Sequence, residues 1–283
     1  MILFKKAADL RNYRDAQQKQ SRKIGFIPTM GALHEGHISL VAASKKECTL
    51  TVCSIFVNPA QFNDPKDFQK YPINLENDIY KLETSGCDIL FLPSVEEIYP
   101  DGFGDKPGYD IGYLETILEG KYRPGHFQGV CLVMHRLLEI VNPDRMYLGQ
   151  KDYQQSMIIS KLIELLGMER SIELVISPTQ REANGLAMSS RNLRLKEDER
   201  KKAAAIYESL SMIKKMLQKD NMQELKRKAQ EILEKNEFKV DYVEIADAKN
   251  LEPVNKWDGK QKLVALVAAY MNEVRLIDNM LLN

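Results

Sequence analysis

Short apolar runs alternate with segments of helical period along the first 177 residues of the chain. Strands are predicted near residues 23–28, 49–57, 87–92, 144–148 and 172–177. Helices are predicted between them, near residues 36–47, 74–85, 126–141 and 152–167. Because parallel strands joined by helices pack as a sheet with helices on its faces, the pattern predicts an α/β fold with a Rossmann-like parallel sheet.

The pattern changes after about residue 178. Charged helices are predicted near 196–217 and 221–235, and strands near 239–246, 263–270 and 273–279. The sequence therefore predicts a Rossmann-like domain at 1–177 and a smaller C-terminal α+β domain at 178–283, which we expect to close over the site. The charged run at 196–202 is interpreted as a solvated helix face.

The overall charge gives no global attraction to polyanions, and only a local basic patch stays open as an alternative. The 283 residues include 40 Lys and Arg and 40 Asp and Glu, so the formal net charge is zero. A protein without a net positive field has no global affinity for nucleic acid or for an anionic membrane. We therefore expect small-molecule substrates, with no nucleic acid and no membrane as partners.

The cysteines favour a reducing compartment. Cys48, Cys53, Cys87 and Cys131 lie in apolar runs without CxxC spacing, which is typical of buried, reduced thiols. The amino terminus lacks the long apolar segment of a signal peptide, and no run approaches the roughly 18 apolar residues of a membrane span. We expect a cytoplasmic protein.

The most informative segment runs from Pro28 to His37, between a predicted strand and a predicted helix. His34 and His37 bracket Gly36 in an HxGH sequence. A helix start offers unpaired N–H groups and a positive dipole end, and imidazoles can donate to phosphate oxygens. The segment predicts a nucleotidyl-transfer site, although a metal-binding or structural histidine pair stays open at this point. No third zinc ligand follows at standard spacing, and the glycine signatures of P-loop and dinucleotide-binding proteins are absent.

Neutral amides and one lysine follow two other strands. Asn58 and Gln61 come after the strand at 49–57, where amides suit hydroxyl and carboxylate ligands. An Asn-Pro turn held by Asn58 itself is the alternative there. After the strand at 144–148, Lys151 can neutralise phosphate, whereas Asp152 can accept from a ribose hydroxyl or simply cap a helix.

A polar loop at 178–192 and two further histidines complete the candidate chemistry. Ser189 and Ser190 beside Arg191 can clamp a phosphate, or can form an ordinary helix cap. His126 precedes an apolar helix and is a candidate for a wall of the site, whereas His135, inside that helix, is interpreted as structural.

Taken together, these motifs resemble those of the pantothenate synthetase (pantoate:beta-alanine ligase) family of the HxGH nucleotidyltransferase superfamily, over essentially the whole chain. The motifs that carry the resemblance are Pro-Thr-Met-Gly-Ala-Leu-His-Glu-Gly-His at 28–37, Phe-Val-Asn-Pro-Ala-Gln-Phe at 56–62, Arg-Pro-Gly-His-Phe at 123–127, Gly-Gln-Lys-Asp-Tyr-Gln-Gln at 149–155 and Met-Ser-Ser-Arg-Asn at 188–192.

The resemblance implies ATP-dependent condensation of (R)-pantoate with beta-alanine through pantoyl adenylate, with release of pyrophosphate and then AMP. It implies catalytic roles for His34, His37, Lys151 and Arg191, with the counterpart of His37 treated as a proton donor. It implies pantoate binding by Gln61 and Gln155, and beta-alanine binding by Gln61. The implied ATP contacts are Met30, Gly31, Ala32, Leu33, His34, Glu35, Gly36, His37, Gly149, Gln150, Lys151, Asp152, Gln180, Met188, Ser189, Ser190 and Arg191.

The resemblance further implies Mg²⁺ carried on ATP and a homodimer built through the amino-terminal domain. Asp78 is one candidate metal ligand. Two positions depart from the usual family form, since Gln150 stands where glutamate is common and Asn184 where aspartate is common before Gly185.

Two other functions stay open on the sequence. One is another HxGH nucleotidyltransferase that makes a stable nucleotide-linked product, which the paired glutamines disfavour. The other is a nucleotide sensor without catalysis, which the presence of His34, His37, Lys151 and Arg191 disfavours. A relative of the aminoacyl-tRNA synthetases would carry a basic anticodon-binding extension, and none is visible.

Overall fold

A computed structural model describes residues 1–103, 108–219 and 221–283 of the chain. The chain divides into two compact units. Unit 1 comprises Met1–Gln150 with Gln155–Pro178, and unit 2 comprises Lys151–Gln154 with Thr179–Asn283. The short segment Lys151–Gln154 belongs by its contacts to unit 2. The predicted division, with one boundary between 177 and 178, does not include this segment in the second domain.

Unit 1 is built on a parallel sheet. Its strands are β1 (Ile2–Phe4), β2 (Ile24–Thr29), β3 (Leu50–Ile55), β4 (Ile89–Phe91), β5 (Arg145–Gly149) and β6 (Glu173–Ser177). Its helices are α1 (Ala7–Gln18), α2 (Glu35–Glu47), α3 (Pro65–Gln69), α4 (Leu75–Thr84), α5 (Val95–Ile98), α6 (Leu118–Tyr122), α7 (His126–Val141) and α8 (Tyr153–Leu165), the last beginning in the segment assigned to unit 2. Short 3-10 turns occupy Pro59–Gln61, Gly112–Glu115 and Gln150–Asp152.

The strand order is β1-β4-β3-β2-β5-β6, and every pairing in this sheet is parallel. Alternate residues of strands β2 to β6 pack in different cores. Phe26 of β2 packs in the core that includes Leu10 of α1 and Leu137 of α7, whereas its neighbour Ile27 packs with Leu40 of α2. Helices therefore cover both faces of the sheet, and the predicted Rossmann-like fold is confirmed.

Unit 2 has its own core. Its elements are α9 (Glu197–Lys202), α10 (Ala205–Met216), α11 (Met222–Lys235), β7 (Phe238–Asp247), β8 (Leu263–Met271) and β9 (Val274–Leu281), with a 3-10 turn at Ser190–Arg194. The three strands form an antiparallel sheet in the order β7-β8-β9. The predicted helix at 196–217 is interrupted after Lys202, and a second helix begins at Ala205. Most of α9 is exposed, as expected for its charged run, but Glu199 is buried and accepts from the Lys196 N–H.

Candidate functional site

The central strands of unit 1 end at one edge of the sheet. Strand β2 lies between β3 and β5, and the order of the chain through the sheet reverses between β2 and β5. In open parallel sheets, ligands bind outside the carboxyl ends of the strands at such a reversal. The segments that follow β2, β3 and β5 are therefore the ones placed to form a site.

The loop after β2 is held in an unusual conformation by a buried carboxylate. Gly31 and Ala32 have φ angles of 81° and 48°. Asp78, on the first turn of α4, is 1% exposed and accepts from the Ala32 N–H at 2.8 Å and from the Leu33 N–H at 2.7 Å. Lys81, one turn later, donates to the Leu33 carbonyl at 2.6 Å. A left-handed alanine costs on the order of 1–3 kcal/mol, so these bonds stabilise a conformation that the loop would otherwise avoid.

Both oxygens of Asp78 are therefore used to fix this loop, which argues against its interpretation as a metal ligand. We expect Asp78→Asn to lower the free energy of unfolding by about 1–3 kcal/mol, because an amide keeps one acceptor and leaves one buried backbone N–H unsatisfied. Urea denaturation measures the change. Asp64→Asn is the matched control, because one oxygen of Asp64 caps the exposed helix α3 by accepting from the Lys66 N–H. Asparagine caps as well as aspartate, so we expect no change there; equal losses in both variants would contradict the role of Asp78.

The two histidines of the HxGH sequence cap helix α2 with their side chains. His34 Nδ1 accepts from the Gly36 N–H at 3.1 Å, and His37 Nδ1 accepts from the His34 N–H at 3.3 Å. The ring centroids lie 4.0 Å apart. Because each Nδ1 accepts a hydrogen bond, the proton of each neutral ring is on Nε2. The sequence motif placed the histidines, but only the backbone bonds reveal this shared tautomer.

After β3, a series of hydrogen bonds made by the Asn58 side-chain amide fixes the orientation of Gln61. Asn58 Oδ1 accepts from the Ala60 N–H at 3.2 Å and from the Tyr99 hydroxyl at 2.8 Å. Asn58 Nδ2 donates to the Gly129 carbonyl at 3.1 Å and to Gln61 Oε1 at 2.9 Å. Because the Ala60 N–H can only donate and the Gly129 carbonyl can only accept, the orientation of Asn58 is fixed, and with it that of Gln61. The turn-holding role of Asn58 is thus confirmed, and its amide also orients the neighbouring glutamine.

Helix α7 supports the same segment from its first turn. His126 Nδ1 donates to the Gln61 carbonyl at 2.8 Å, and its Nε2 accepts from Arg123 at 3.1 Å. A Cβ on Gly129 would lie 2.1 Å from the Ala60 carbonyl oxygen, so this close approach requires glycine. His126 therefore acts behind Gln61, while the interpretation of His135 as structural agrees with its bond to the Tyr109 hydroxyl at 2.8 Å.

The remaining predicted residues of unit 1 lie after β5. Gly149 is the last residue of β5 and pairs with Ser177 of β6, and Gln150 opens the 3-10 turn that follows. Gln155 is half-buried in the first turn of α8. These residues follow the strand next to β2, on the same sheet edge as the HxGH loop.

Unit 2 brings the other predicted residues together in a hairpin. The Met188 N–H donates to the Gln180 carbonyl at 2.9 Å, and Arg181 forms a bridge with Ala187. Ser189 Oγ caps the next turn by accepting from the Arg191 N–H at 3.3 Å, and Ser190 is buried. The capping alternative for Ser189 is therefore confirmed.

Three residues of unit 2 that the sequence did not single out tie this hairpin to the Lys151 segment. The Arg181 guanidinium forms two bonds with the buried Asp278 carboxylate, at 2.5 and 3.1 Å. The adjacent Asn279 donates from Nδ2 to the Lys151 carbonyl at 2.8 Å. Lys151 Nζ lies 3.4 Å from Asp152 Oδ1. No motif points to β9, because its residues reach the hairpin only through the fold.

Burial sets the state of several ionisable groups. It raises the pKa of Cys87 to about 11 and that of Cys131 to about 12, and it raises the pKa of Cys53 well above the usual range. All four cysteines are buried, free thiols, as predicted. Burial also raises the pKa of Asp278, despite the guanidinium of Arg181 beside it.

Within 1–103, 108–219 and 221–283, no three His, Cys, Asp or Glu side chains are grouped so that they could hold a metal ion. Over the same residues, no helix has both the length and the apolar character needed to cross a membrane.

Comparison with known proteins gives matches along nearly the whole chain. A family model described as Pantoate-beta-alanine ligase matches residues 2–281. The chain is 44% identical to a pantothenate synthetase of Cytophaga hutchinsonii, covering 100% of this chain and 99% of that protein. It is 42% identical to a pantothenate synthetase of Caldicellulosiruptor bescii, covering 99% of this chain and 98% of that protein.

Solved structures are similar over the same length. A crystal structure of pantothenate synthetase from Thermus thermophilus aligns with a TM-score of 0.88 at 39% identity, covering 99% of both chains. Pantoate-beta-alanine ligase from Francisella tularensis, complexed with beta-gamma ATP and beta-alanine, aligns with a TM-score of 0.81 at 39% identity, covering 99% of this chain and 97% of that chain.

Proposed function

Because this chain belongs to the pantoate-beta-alanine ligase family, we propose that it joins (R)-pantoate to beta-alanine through a pantoyl adenylate. A pantoate carboxylate oxygen attacks the α-phosphorus of ATP, and pyrophosphate leaves. The beta-alanine amine then attacks the carbonyl carbon of the mixed anhydride, the bond from that carbon to the phosphate oxygen breaks, and AMP leaves with a proton released from the amine. The product is pantothenate.

The observation that supports the adenylation step is the tautomer of the two HxGH histidines. Each uses Nδ1 to accept a backbone N–H, so each neutral ring carries its proton on Nε2. Two N–H donors on a fixed loop can bond phosphate oxygens as charge develops at the α-phosphorus, without reorganising during the reaction. The family treats the counterpart of His37 as a proton donor, and in this proposal His37 offers its Nε2 hydrogen to the phosphate as a hydrogen-bond donor.

The nucleotide contacts in this proposal are those that the resemblance implies. They are Met30, Gly31, Ala32, Leu33, His34, Glu35, Gly36, His37, Gly149, Gln150, Lys151, Asp152, Gln180, Met188, Ser189, Ser190 and Arg191. Lys151 and Arg191 neutralise the charge of the triphosphate and of the departing pyrophosphate. This step relies on positioning and electrostatics rather than on a covalent enzyme intermediate.

Gln61 and Gln155 bind pantoate in this proposal, and Gln61 also binds beta-alanine. Asn58 occupies Gln61 Oε1, so the Gln61 amide offers N–H donors to a ligand. Such a group suits the oxygens of a hydroxyl or a carboxylate.

We expect Gln61→Glu to raise the KM for pantoate at least tenfold, which corresponds to about 1.4 kcal/mol, because a carboxylate replaces those donors and repels the substrate's charge. Initial rates at saturating ATP and beta-alanine measure this KM. Gln69→Glu, an exposed residue at the end of α3, adds the same charge nearby and should leave the KM unchanged. A wild-type KM in Gln61→Glu would contradict the proposed contact.

Mg²⁺ enters the proposal as the companion of ATP. Among the described residues no three carboxylates or imidazoles are grouped as ligands, and the oxygens of Asp78 bond backbone N–H groups. This donor set fits an ion that rides on substrate phosphates and keeps most of its water, as Mg²⁺ commonly does. When bound, it supplies neutralising charge to the phosphates.

A cytoplasmic location and a homodimer complete the proposal. The four buried free thiols agree with a reducing compartment. The homodimer follows from the resemblance alone, and light scattering coupled to gel filtration tests it: a mass near twice that of the 32.5 kDa chain supports it, and a monomer mass contradicts it.

The decisive assay of the proposed function measures pantothenate, AMP and pyrophosphate together. With ATP, Mg²⁺, pantoate and beta-alanine, we expect the three products in equal amounts, and no pantothenate when any one substrate is omitted. Pyrophosphate release with a stable nucleotide-linked product, and no AMP, would instead favour another HxGH nucleotidyltransferase. ATP binding without any turnover would favour a sensor.

A further inference from the structure

Two separate segments of unit 2 depend on the same pair of residues in β9. Lys151 and the hairpin at 180–188 are far apart in the sequence, yet both bond to Asp278 or Asn279. These two β9 residues are 3% and 2% exposed. Buried polar side chains of this kind need hydrogen-bond partners. Here the partners belong to segments that are proposed to contact ATP.

On one side, Asn279 fixes the backbone that carries Lys151. Its Nδ2 donates to the Lys151 carbonyl at 2.8 Å. The Tyr153 hydroxyl holds the same segment by donating to the Ala248 carbonyl at 2.7 Å. The backbone from which the long Lys151 side chain extends is thereby anchored, and the Lys151 side chain is itself 17% exposed.

On the other side, Asp278 fixes the hairpin. Its carboxylate takes both bonds from Arg181, whose guanidinium also donates to the Gly185 carbonyl at 3.1 Å and to the Asn279 carbonyl at 3.4 Å. The guanidinium lies 4.7 Å from the centre of the Tyr207 ring. Arg181 is therefore held along the hairpin, between its turn and β9.

The contact to the hairpin and the contact to the Lys151 backbone come from neighbouring residues of β9. Asp278 Oδ1 also accepts from the Asn279 N–H at 2.8 Å. A shift of one residue must therefore move the other. Since rates of group transfer depend on sub-ångström placement of charged groups, such a link matters to catalysis if both segments meet one substrate.

We propose that Asn279, supported by Asp278, is a positioning residue that holds Lys151 in register with the 180–188 hairpin so that both meet the phosphates of one ATP. The inference rests on the proposed function, since it assumes that Lys151 contacts ATP. Asn279 touches no substrate in this account and acts only through the backbone of Lys151.

A double-mutant cycle tests this directly. Asn279→Ala, Lys151→Ala and the double variant are compared by single-turnover AMP formation with enzyme in excess. We expect Asn279→Ala to slow AMP formation at least tenfold and Lys151→Ala to slow it further. The double variant should match Lys151→Ala within about twofold, because a residue that acts through Lys151 has no effect once that side chain is gone.

Asn236→Ala is the matched control, because it removes the same kind of bond, from an asparagine amide to the Ile232 carbonyl at 2.9 Å, elsewhere in unit 2. It should leave the rate of AMP formation unchanged. If Asn279→Ala does not fold by circular dichroism, Asn279→Leu keeps the shape without the donor and enters the same cycle.

Two results would overturn the inference: a wild-type rate in a folded Asn279 variant, or a double variant slowed by the product of the two single effects. Failure of the proposed function is distinct from either, because the wild-type enzyme would then form no AMP at all.

Discussion

Replacing His37 with alanine is expected to slow pantothenate formation by about 10²–10³-fold, which corresponds to about 2.7–4 kcal/mol of transition-state stabilisation. The substitution removes an Nε2 donor proposed to bond the reacting phosphate. It also removes the Nδ1 acceptor of the His34 N–H, which costs about 1 kcal/mol of folding stability as a lost cap. Steady-state rates and urea denaturation of the same preparation separate the two effects.

His135→Ala is the matched control for this variant. His135 lies on α7 and bonds the Tyr109 hydroxyl, away from the HxGH loop in the sequence and in the fold. It should keep the wild-type rate within about twofold. Near-normal turnover of His37→Ala would reject the catalytic role of His37, and a rate loss that merely follows unfolding would reject it as well.

Replacing Asp278 with alanine is expected to lower the free energy of unfolding by about 3 kcal/mol. The Asp278 side chain is 2% exposed, and its removal leaves the guanidinium of Arg181, with a side chain 20% exposed, without its counter-ion. Losing one partner of a buried pair costs about 3–5 kcal/mol, and the partial exposure of Arg181 places this case at the lower end. Urea denaturation followed by circular dichroism measures the loss.

Two comparisons sharpen this prediction. Asp278→Asn should cost less than Asp278→Ala, because burial raises the pKa of Asp278 and a neutral group of the same shape avoids that desolvation. Lys201→Ala breaks an exposed helical pair with Glu197 and should change the free energy of unfolding by less than about 0.5 kcal/mol. An equal, small effect in Asp278→Ala and Lys201→Ala would show that the Arg181 pair is not a structural link.

Most of the sheet could be predicted because its strands are buried on both faces. Strands β2, β3 and β5 are nearly continuous apolar runs, and the structure places each within about two residues of the predicted bounds. Strand β1 was missed because three residues at the sheet edge carry no periodicity. Helix α1 was missed because its sequence is mostly polar, with only Ala7 and Leu10 buried.

The interruption between α9 and α10 had no sequence signal either. No glycine or proline lies between Lys202 and Ala205, and Ala203 and Ala204 favour helix by propensity. Ala203, at the break, is fully buried in the core of unit 2. Sequence periodicity does not predict this break, because the apolar pattern continues through it.

For the site, the motifs indicate candidate segments but not the residues that hold those segments in place. The HxGH sequence located His34 and His37, yet their tautomer depends on which backbone N–H groups they accept. Asp78 and Asn279 act through backbone groups of distant residues, and backbone contacts leave no trace in a motif. Supporting residues of this kind become visible only in the folded chain.

The most direct test of the adenylate route follows an oxygen atom. Pantoate carrying ¹⁸O in both carboxylate oxygens is converted to pantothenate with ATP, Mg²⁺ and beta-alanine, and the AMP is analysed by mass spectrometry. Attack of the carboxylate on the α-phosphorus predicts one ¹⁸O in each AMP formed and one retained in the new amide. AMP without ¹⁸O, or ADP with ¹⁸O in inorganic phosphate, would contradict the account.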